Sequence, residues 1–343
     1  MEQGVANPQI LSLAAGLVDQ ESLPVGCVNR AVEVILGEAP WGRAALQYGT
    51  TNGDRALREL LVEHLARLDG VKPSDMDLDP DRLVVGTGAQ QLLYLAAEIL
   101  LDPGDIVLLG VPAYFVYMGA LEGLGARIVP IDTDGDGLIP EAVHSTLARL
   151  DAEKQLERVK LIYDVSYFNN PTGLSLSQER RLRLLELVER WQTRQRIFVI
   201  EDAAYRELRY EGEALASLLK LDVARRTVLY AGTFSKSFSP GLKTGYLVGP
   251  REVVDRLVIQ KGHHDFGSAN FVQQVLARVL RSGEYDRHVS EIRERYRAKR
   301  DAMLATLAEE LGGFDEQVTW TQPVGGLYVW VRLPTWLATG PGS

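Results

Sequence analysis

Seven short runs of branched aliphatic residues constrain the fold of this chain more than any other feature. They are RLVVGT (82–87), DIVLLG (105–110), ARIVPID (126–132), VKLIYDV (159–165), RIFVIED (196–202), RTVLYAGT (226–233) and TGYLVG (244–249). Near-continuous Val/Ile/Leu runs suit strands covered on both faces. Helical patterns such as AQQLLYLAAEILL (89–101) and YFVYMGALEGLG (114–125) lie between them. The alternation predicts an α/β fold with a mostly parallel seven-stranded sheet and helices on both sides. Ligands of such sheets gather beyond the carboxyl ends of the strands. The residues just after each run are therefore the candidates for chemistry.

The pattern changes after Pro250. REVVDRLVIQKG and NFVQQVLARVLRSG read as helices, and EYDRHVSEIRERYRAKRDAMLATLAEELGG as one long amphipathic helix. VTWT and GGLYVWVRLP then read as two strands. The expected organisation is an opening segment 1–30, a large domain 31–250 and a smaller α+β domain 251–343. The opening segment could pack on either domain.

With 46% hydrophobic and 24% charged residues, the composition is that of a globular chain. Lys plus Arg is 37 against 46 Asp plus Glu, a net charge of -9 that disfavours gripping nucleic acid through its phosphates. The single Cys27 excludes an internal disulfide and a cysteine-cluster metal site, and suits the cytoplasm. MEQGVANPQILSLAAG lacks a basic and apolar leader pattern, and no run of apolar residues is long enough to span a membrane. DTDGDGLIPEAV (132–143) imitates a calcium loop, but Val143 stands where a bidentate Glu is required, so a strand-to-helix turn is expected. His263-His264 has no third ligand nearby in sequence, and a helix end is expected there.

Five segments carry chemistry. TFSKSFSPGLKTGY (233–246) gathers Thr233, Ser235, Lys236 and Lys243 around Pro240-Gly241. Hydroxyls, amides near a glycine and ammonium groups can hold a phosphate, and a lysine beside a second cation loses basicity and becomes a usable nucleophile. The same segment also reads as a polar surface loop. VIEDAAYREL (199–208) places Asp202 at a strand end with Tyr205 after it. A buried Asp needs a cationic or donating partner, which a protonated ring nitrogen could be; Asp202 capping a following helix is the alternative. SYFNNPTGLSLSQE (166–179) carries Asn170 in a restricted turn, with Ser177 opening a helix. GTGAQQ (86–91) joins a strand to a helix whose free amides, at Ala89 and Gln90, favour an anion. PAYFVY (112–117) puts Tyr114 after a strand, as core or as a stacking plate.

In order and context these segments resemble the fold type I pyridoxal-phosphate enzymes, and specifically the class I/II aminotransferases. YGTTNGDRALRELL, GTGAQQ, PAY, NNPTG, EDAAY, SKSFSPGLKTGY and PVGGLYVW carry the resemblance over nearly all of the chain. The nearest subgroup resembles the 2-aminoadipate and kynurenine aminotransferases. The resemblance implies pyridoxal 5'-phosphate as cofactor, an L-amino acid and a 2-oxo acid as substrates, and a ping-pong exchange through an internal aldimine at Lys236. It implies that Asp202 keeps the pyridine nitrogen protonated, that Asn170 and Tyr205 bind the phenolic oxygen, and that Tyr114 stacks on the ring. Ala89 and Gln90 amides, Thr233, Ser235 and Lys243 would hold the phosphate. Tyr48 would reach it from a second subunit of a homodimer, and Gly16 would lie beside the substrate.

Two departures from the family pattern stand out. Lys243 occupies a place usually held by Arg, which offers a single charge in place of a fork. The chain also ends at PTWLATGPGS, where the family continues to an Arg that clamps the substrate carboxylate. A fragment, a truncated product or a substitute cation would each account for that. A lyase or decarboxylase of the same fold, or a catalytically weak cofactor-binding sensor, are the alternative functions.

Overall fold

The structure is a computed structural model that describes residue 13, residues 16–314 and residues 316–337. Most of MEQGVANPQILSLAAG and the last residues of PTWLATGPGS lie outside the described residues.

Eleven strands are present among the described residues: β1 Leu83–Gly86, β2 Ile106–Gly110, β3 Arg127–Ile131, β4 Thr133–Asp134, β5 Gly137–Leu138, β6 Val159–Asp164, β7 Phe198–Asp202, β8 Val228–Thr233, β9 Gly245–Val248, β10 Thr319–Trp320 and β11 Val331–Arg332. Seven form one sheet in the order β1-β9-β8-β7-β6-β2-β3. Every predicted aliphatic run supplies one of them. β3, β2, β6, β7 and β8 run parallel, while β9 is antiparallel to both β8 and β1. Every residue of β1, β2, β7 and β9 is buried, as expected for strands covered on both faces. β3 is an edge strand, partly exposed, and it accommodates Pro130, whose missing N–H costs nothing on an open edge.

The reversed direction of β9 has a consequence for the site. Its first residue, Gly245, pairs with both Gly86 and Thr233, the last residues of β1 and β8. The start of one strand and the ends of two others therefore share one edge of the sheet. Asp202, at the end of β7, pairs with Ala231 of β8 near the same edge.

Helices Ala89–Leu100, Phe115–Gly123, Pro140–Ala152 and Gln178–Trp191 link the strands. Ser177 caps the last of these, its Oγ accepting from the Arg180 amide at 3.5 Å. The DTDGDGL segment forms a small hairpin, β4 with β5, before the helix Pro140–Ala152. His264 ends the helix Arg251–Asp265 and pairs with Glu98 at 3.1 Å.

The opening segment packs against the long helix Glu284–Leu311: the Asp19 amide donates to Tyr296 Oη at 2.9 Å, and Asp19 pairs with Arg295 and Lys299. GGLYVWVRLP departs from expectation, because only Val331–Arg332 of it is strand, paired with Thr319–Trp320. Gly325 and Gly326 lie flat on Phe168, where an added Cβ would stand 2.5 Å from its side chain. That close approach wedges residues 325–330 against the 166–173 loop instead of leaving them free to pair in a sheet.

Candidate active site

The segment after β8 is held by its own aromatic residues. Phe234 and Phe238 are buried and pack on Tyr285, with ring centroids 5.5 Å and 5.8 Å apart. Ser237 joins them, its hydroxyl 2.7 Å from Tyr285 Oη, which donates to Glu207 at 2.6 Å. With these side chains directed into the core, the half-buried Ser235 and Lys236 are left to the sheet edge. Lys236 Nζ donates to the Gly16 carbonyl at 2.9 Å. Burial lowers its pKa, the nearby Lys243 lowers it further, and Asp202 opposes both. Lys243 itself is exposed and sits in the left-handed region at φ 46°.

Asp202 is almost wholly buried. Tyr163, on the neighbouring strand β6, donates to its Oδ2 at 2.8 Å, and the Ala204 amide donates to Oδ1 at 3.1 Å. No helix starts after it; the carboxylate closes a short turn. Burial raises its pKa to about 6, with Asp164 pushing the same way and the two hydrogen bonds and Lys236 pulling back. Asp202 forms no salt bridge among the described residues, and its two hydrogen bonds come from a phenol and an amide.

The 166–176 loop is fixed from beneath by Arg181. Its guanidinium donates to the Leu176 carbonyl at 2.9 Å and the Ser166 carbonyl at 2.5 Å, and pairs with Glu201 at 2.8 Å, all fully buried. Glu201 also accepts from the Leu218 and Leu219 amides, so the buried pair is satisfied on both sides. The loop carries Asn170, joined to Pro171 by a cis peptide bond. The Asn170 side chain lies near the phenols of Tyr205 and Tyr328 and opposes the rise that burial gives the pKa of each. Those two hydroxyls are 3.3 Å apart.

The helix Ala89–Leu100 begins after Gly88 (φ 78°), and no side chain caps it. Its opening amides, at Ala89 and Gln90, are available to an anion. Gly245 must be glycine here, because a Cβ would stand 2.4 Å from the Ala89 nitrogen. Gln91 fixes the turn, accepting from the Thr87 amide at 2.7 Å and donating to Asp265 at 2.9 Å. Across β9, Thr233 Oγ1 donates to Ser235 Oγ at 3.0 Å.

Tyr114 is half-buried at the start of the helix Phe115–Gly123, near enough to Asp202 for that charge to raise its pKa after burial does. Tyr48 stands apart, 83% exposed and edge-on to Phe266 at 5.8 Å. A cavity of about 810 Å³ opens elsewhere, between Arg67, Tyr167, Arg206 and Asp286; neither Lys236 nor Asp202 lines it.

Two residues at this edge escaped the sequence reading. Tyr163 sits inside an aliphatic run, and a lone hydroxyl there was the available signal, since a buried phenol needs a partner. Tyr328 belongs to the quoted PVGGLYVW segment, but nothing in that spacing directs it to Tyr205.

The family profile described as "Aminotransferase class I and II" matches residues 8–337. The chain belongs to the class I and II aminotransferases. It is 32% identical over 335 residues to aromatic-amino-acid aminotransferase 1 of Thermococcus litoralis, covering 98% of this chain and 76% of that one. It is 34% identical to the 2-aminoadipate transaminase of Thermus thermophilus, covering 96% and 77%. Among solved structures, a Pyrococcus horikoshii kynurenine aminotransferase, in complex with PMP, aligns with a TM-score of 0.89 and 34% identity over 98% of this chain and 79% of that one. The HTH-type transcriptional regulator YdfD of Bacillus subtilis is 30% identical over 97% of this chain, which spans 64% of that protein.

Membership makes this aminotransferase a pyridoxal-phosphate enzyme of fold type I, in agreement with the sheet described above. The residues at the sheet edge fit that group. A buried carboxylate forms no salt bridge among the described residues, a helix N-terminus has no side-chain cap, and an amine of lowered basicity follows β8 at the same edge. Tyr117 Oη and Gln90 Oε1 are among the buried polar atoms that lack a hydrogen-bond partner among the described residues. Among those residues no helix is long and apolar enough to cross a membrane.

Proposed function

We propose that this aminotransferase moves an amino group between an L-amino acid and a 2-oxo acid, with pyridoxal phosphate carried on Lys236. The observation that supports this most is a half-buried amine and a buried carboxylate of raised pKa at one sheet edge. Pyridoxal phosphate, when bound, supplies the electron sink for a substrate carbanion. The protein's groups do the rest. Asp202 holds a proton at the ring nitrogen. Tyr163 in turn fixes Asp202. Asn170 and Tyr205 donate to the phenolic oxygen, and Tyr114 covers the ring face. The Ala89 and Gln90 amides, Thr233, Ser235 and Lys243 hold the phosphate. The Lys236 amine, when free, would act as general base at the substrate α-carbon and return the proton. Gly16, with no side chain, leaves room for substrate beside Lys236.

The working unit in this reading is a homodimer in which Tyr48 of one copy reaches the phosphate of the other. Exposed Trp41, Leu46, Tyr48, Phe115 and Phe266 support it as a surface to be covered. A reducing compartment such as the cytoplasm suits the buried free thiol of Cys27.

Borohydride reduction of the loaded protein followed by peptide mapping tests the attachment. The adduct is expected on Lys236; label on Lys243 or Lys261 overturns the assignment. The similarity to YdfD favours a second reading, cofactor and amino acid bound without turnover. Adding amino acids to loaded protein separates the two: conversion to the amine form supports transfer, and a bound but unconverted cofactor supports the sensor.

A further inference from the structure

We propose that the Tyr328 hydroxyl is a positioning group that donates a hydrogen bond to Tyr205 and so strengthens the hold of Tyr205 on the cofactor's phenolic oxygen. The inference rests on the site reading given above. Tyr328 comes from the segment wedged against the 166–173 loop, far in sequence from every other residue of the site. Its carbonyl lies against Gly173 (φ 71°), where a Cβ would stand 2.5 Å away, so the backbone of Tyr328 is fixed to the loop that carries Asn170. Its ring meets that of Tyr205 edge-on, centroids 5.7 Å apart. Its hydroxyl is 3.3 Å from Tyr205 Oη, lies near the Asn170 side chain, and fills the space where a Gly16 Cβ would be, 2.0 Å from it.

Counting protons fixes the direction of each bond. The Tyr205 phenol has one proton and the Asn170 amide two. If Tyr205 gives its proton to the phenolic oxygen, it accepts at Tyr328, so Tyr328 is the donor of the 3.3 Å contact. The Asn170 amide then has one proton for the phenolic oxygen and one left on the Tyr328 side, and the Tyr328 bond polarises the one that Tyr205 makes. A Tyr205 that receives a hydrogen bond is a stronger donor. It draws charge from the phenolic oxygen, which then holds a proton on the neighbouring Lys236 nitrogen less firmly. The charged and titratable groups facing this cluster are Tyr114, Asp202, Lys236 and Lys243.

The test is Tyr328→Phe, which keeps the ring, read by titrating the visible absorbance of loaded enzyme against pH. The titration midpoint is expected to rise by up to about 0.7 pH unit, the scale of one neutral hydrogen bond. Gly16→Ala should push the Tyr328 ring aside and raise the midpoint as well, and the double variant should shift no further than the larger single change. An unmoved midpoint in Tyr328→Phe, with Lys236 still labelled by borohydride, overturns the proposal and leaves the site reading standing. Absence of label on Lys236 in the unaltered protein overturns both.

Discussion

Asp202 is where the cost of preparing this site falls on one residue. In an ordinary carboxyl the pKa is 3.8; here burial raises it to about 6. The sign of the resulting stability effect runs opposite to that of a salt-bridged acid. Between those two values the folded chain holds a proton that the unfolded chain has released. The contribution is therefore most favourable below the ordinary value and is lost as pH rises through about 6, by about 3 kcal/mol. Cofactor-free protein should show this loss in urea unfolding between about pH 4 and pH 7, and Asp202→Asn should remove that part of the slope. Equal slopes in the two proteins would mean that Asp202 ionises normally. In loaded enzyme the same substitution should slow α-proton abstraction by roughly 10²-fold or more, since the ring nitrogen loses its counter-charge. Single-turnover absorbance measures that step directly.

At the scale of elements, the proposed phosphate cradle depends on how closely β9 approaches the helix Ala89–Leu100. Gly245 is the contact point, where an added Cβ would stand 2.4 Å from the Ala89 nitrogen. A backbone atom has little freedom to move aside, so Gly245→Ala must displace the helix start from Thr233 and Ser235. Loss of one or two charge-assisted contacts to a phosphate weakens binding by about ten- to a hundredfold. Equilibrium titration with pyridoxal phosphate should show that loss, with the fold retained by circular dichroism. Unchanged affinity would place the phosphate elsewhere. A second element-level device is Tyr285, which ties the long helix Glu284–Leu311 to the Lys236 loop through Ser237 and to Glu207. The loop that carries Lys236 is thereby held by a helix that lies outside the sheet.

For the whole molecule, the proposed dimer makes a prediction that a monomer cannot satisfy. Tyr48 is 83% exposed within one chain, next to Phe266 at 65%. If it completes the phosphate site of a second copy, each site is composite. Mixing Tyr48→Phe and Lys236→Ala protomers should then rebuild one unaltered site per heterodimer, and activity should exceed that of either variant alone. Failure of complementation in verified heterodimers would mean that each copy holds a complete site.

The amino-acid sequence by itself determined the seven strands of the main sheet and the helices between them, and marked the candidate site residues, because burial on two faces and strand-end turns leave local marks. Runs such as DIVLLG and segments such as NNPTG and SKSFSP are readable without knowing what they touch. Direction is not written in an aliphatic run, so the reversal of β9, which brings Gly245 to Gly86 and Thr233, was decided only by the tertiary structure. So were the raised pKa of Asp202, the Tyr163 bond that fixes it, and the meeting of Tyr328 with Tyr205 and Gly16. Each of these depends on groups distant along the chain becoming neighbours out of water. Charge and hydrogen-bond energies are set by that proximity and burial, which no local pattern encodes.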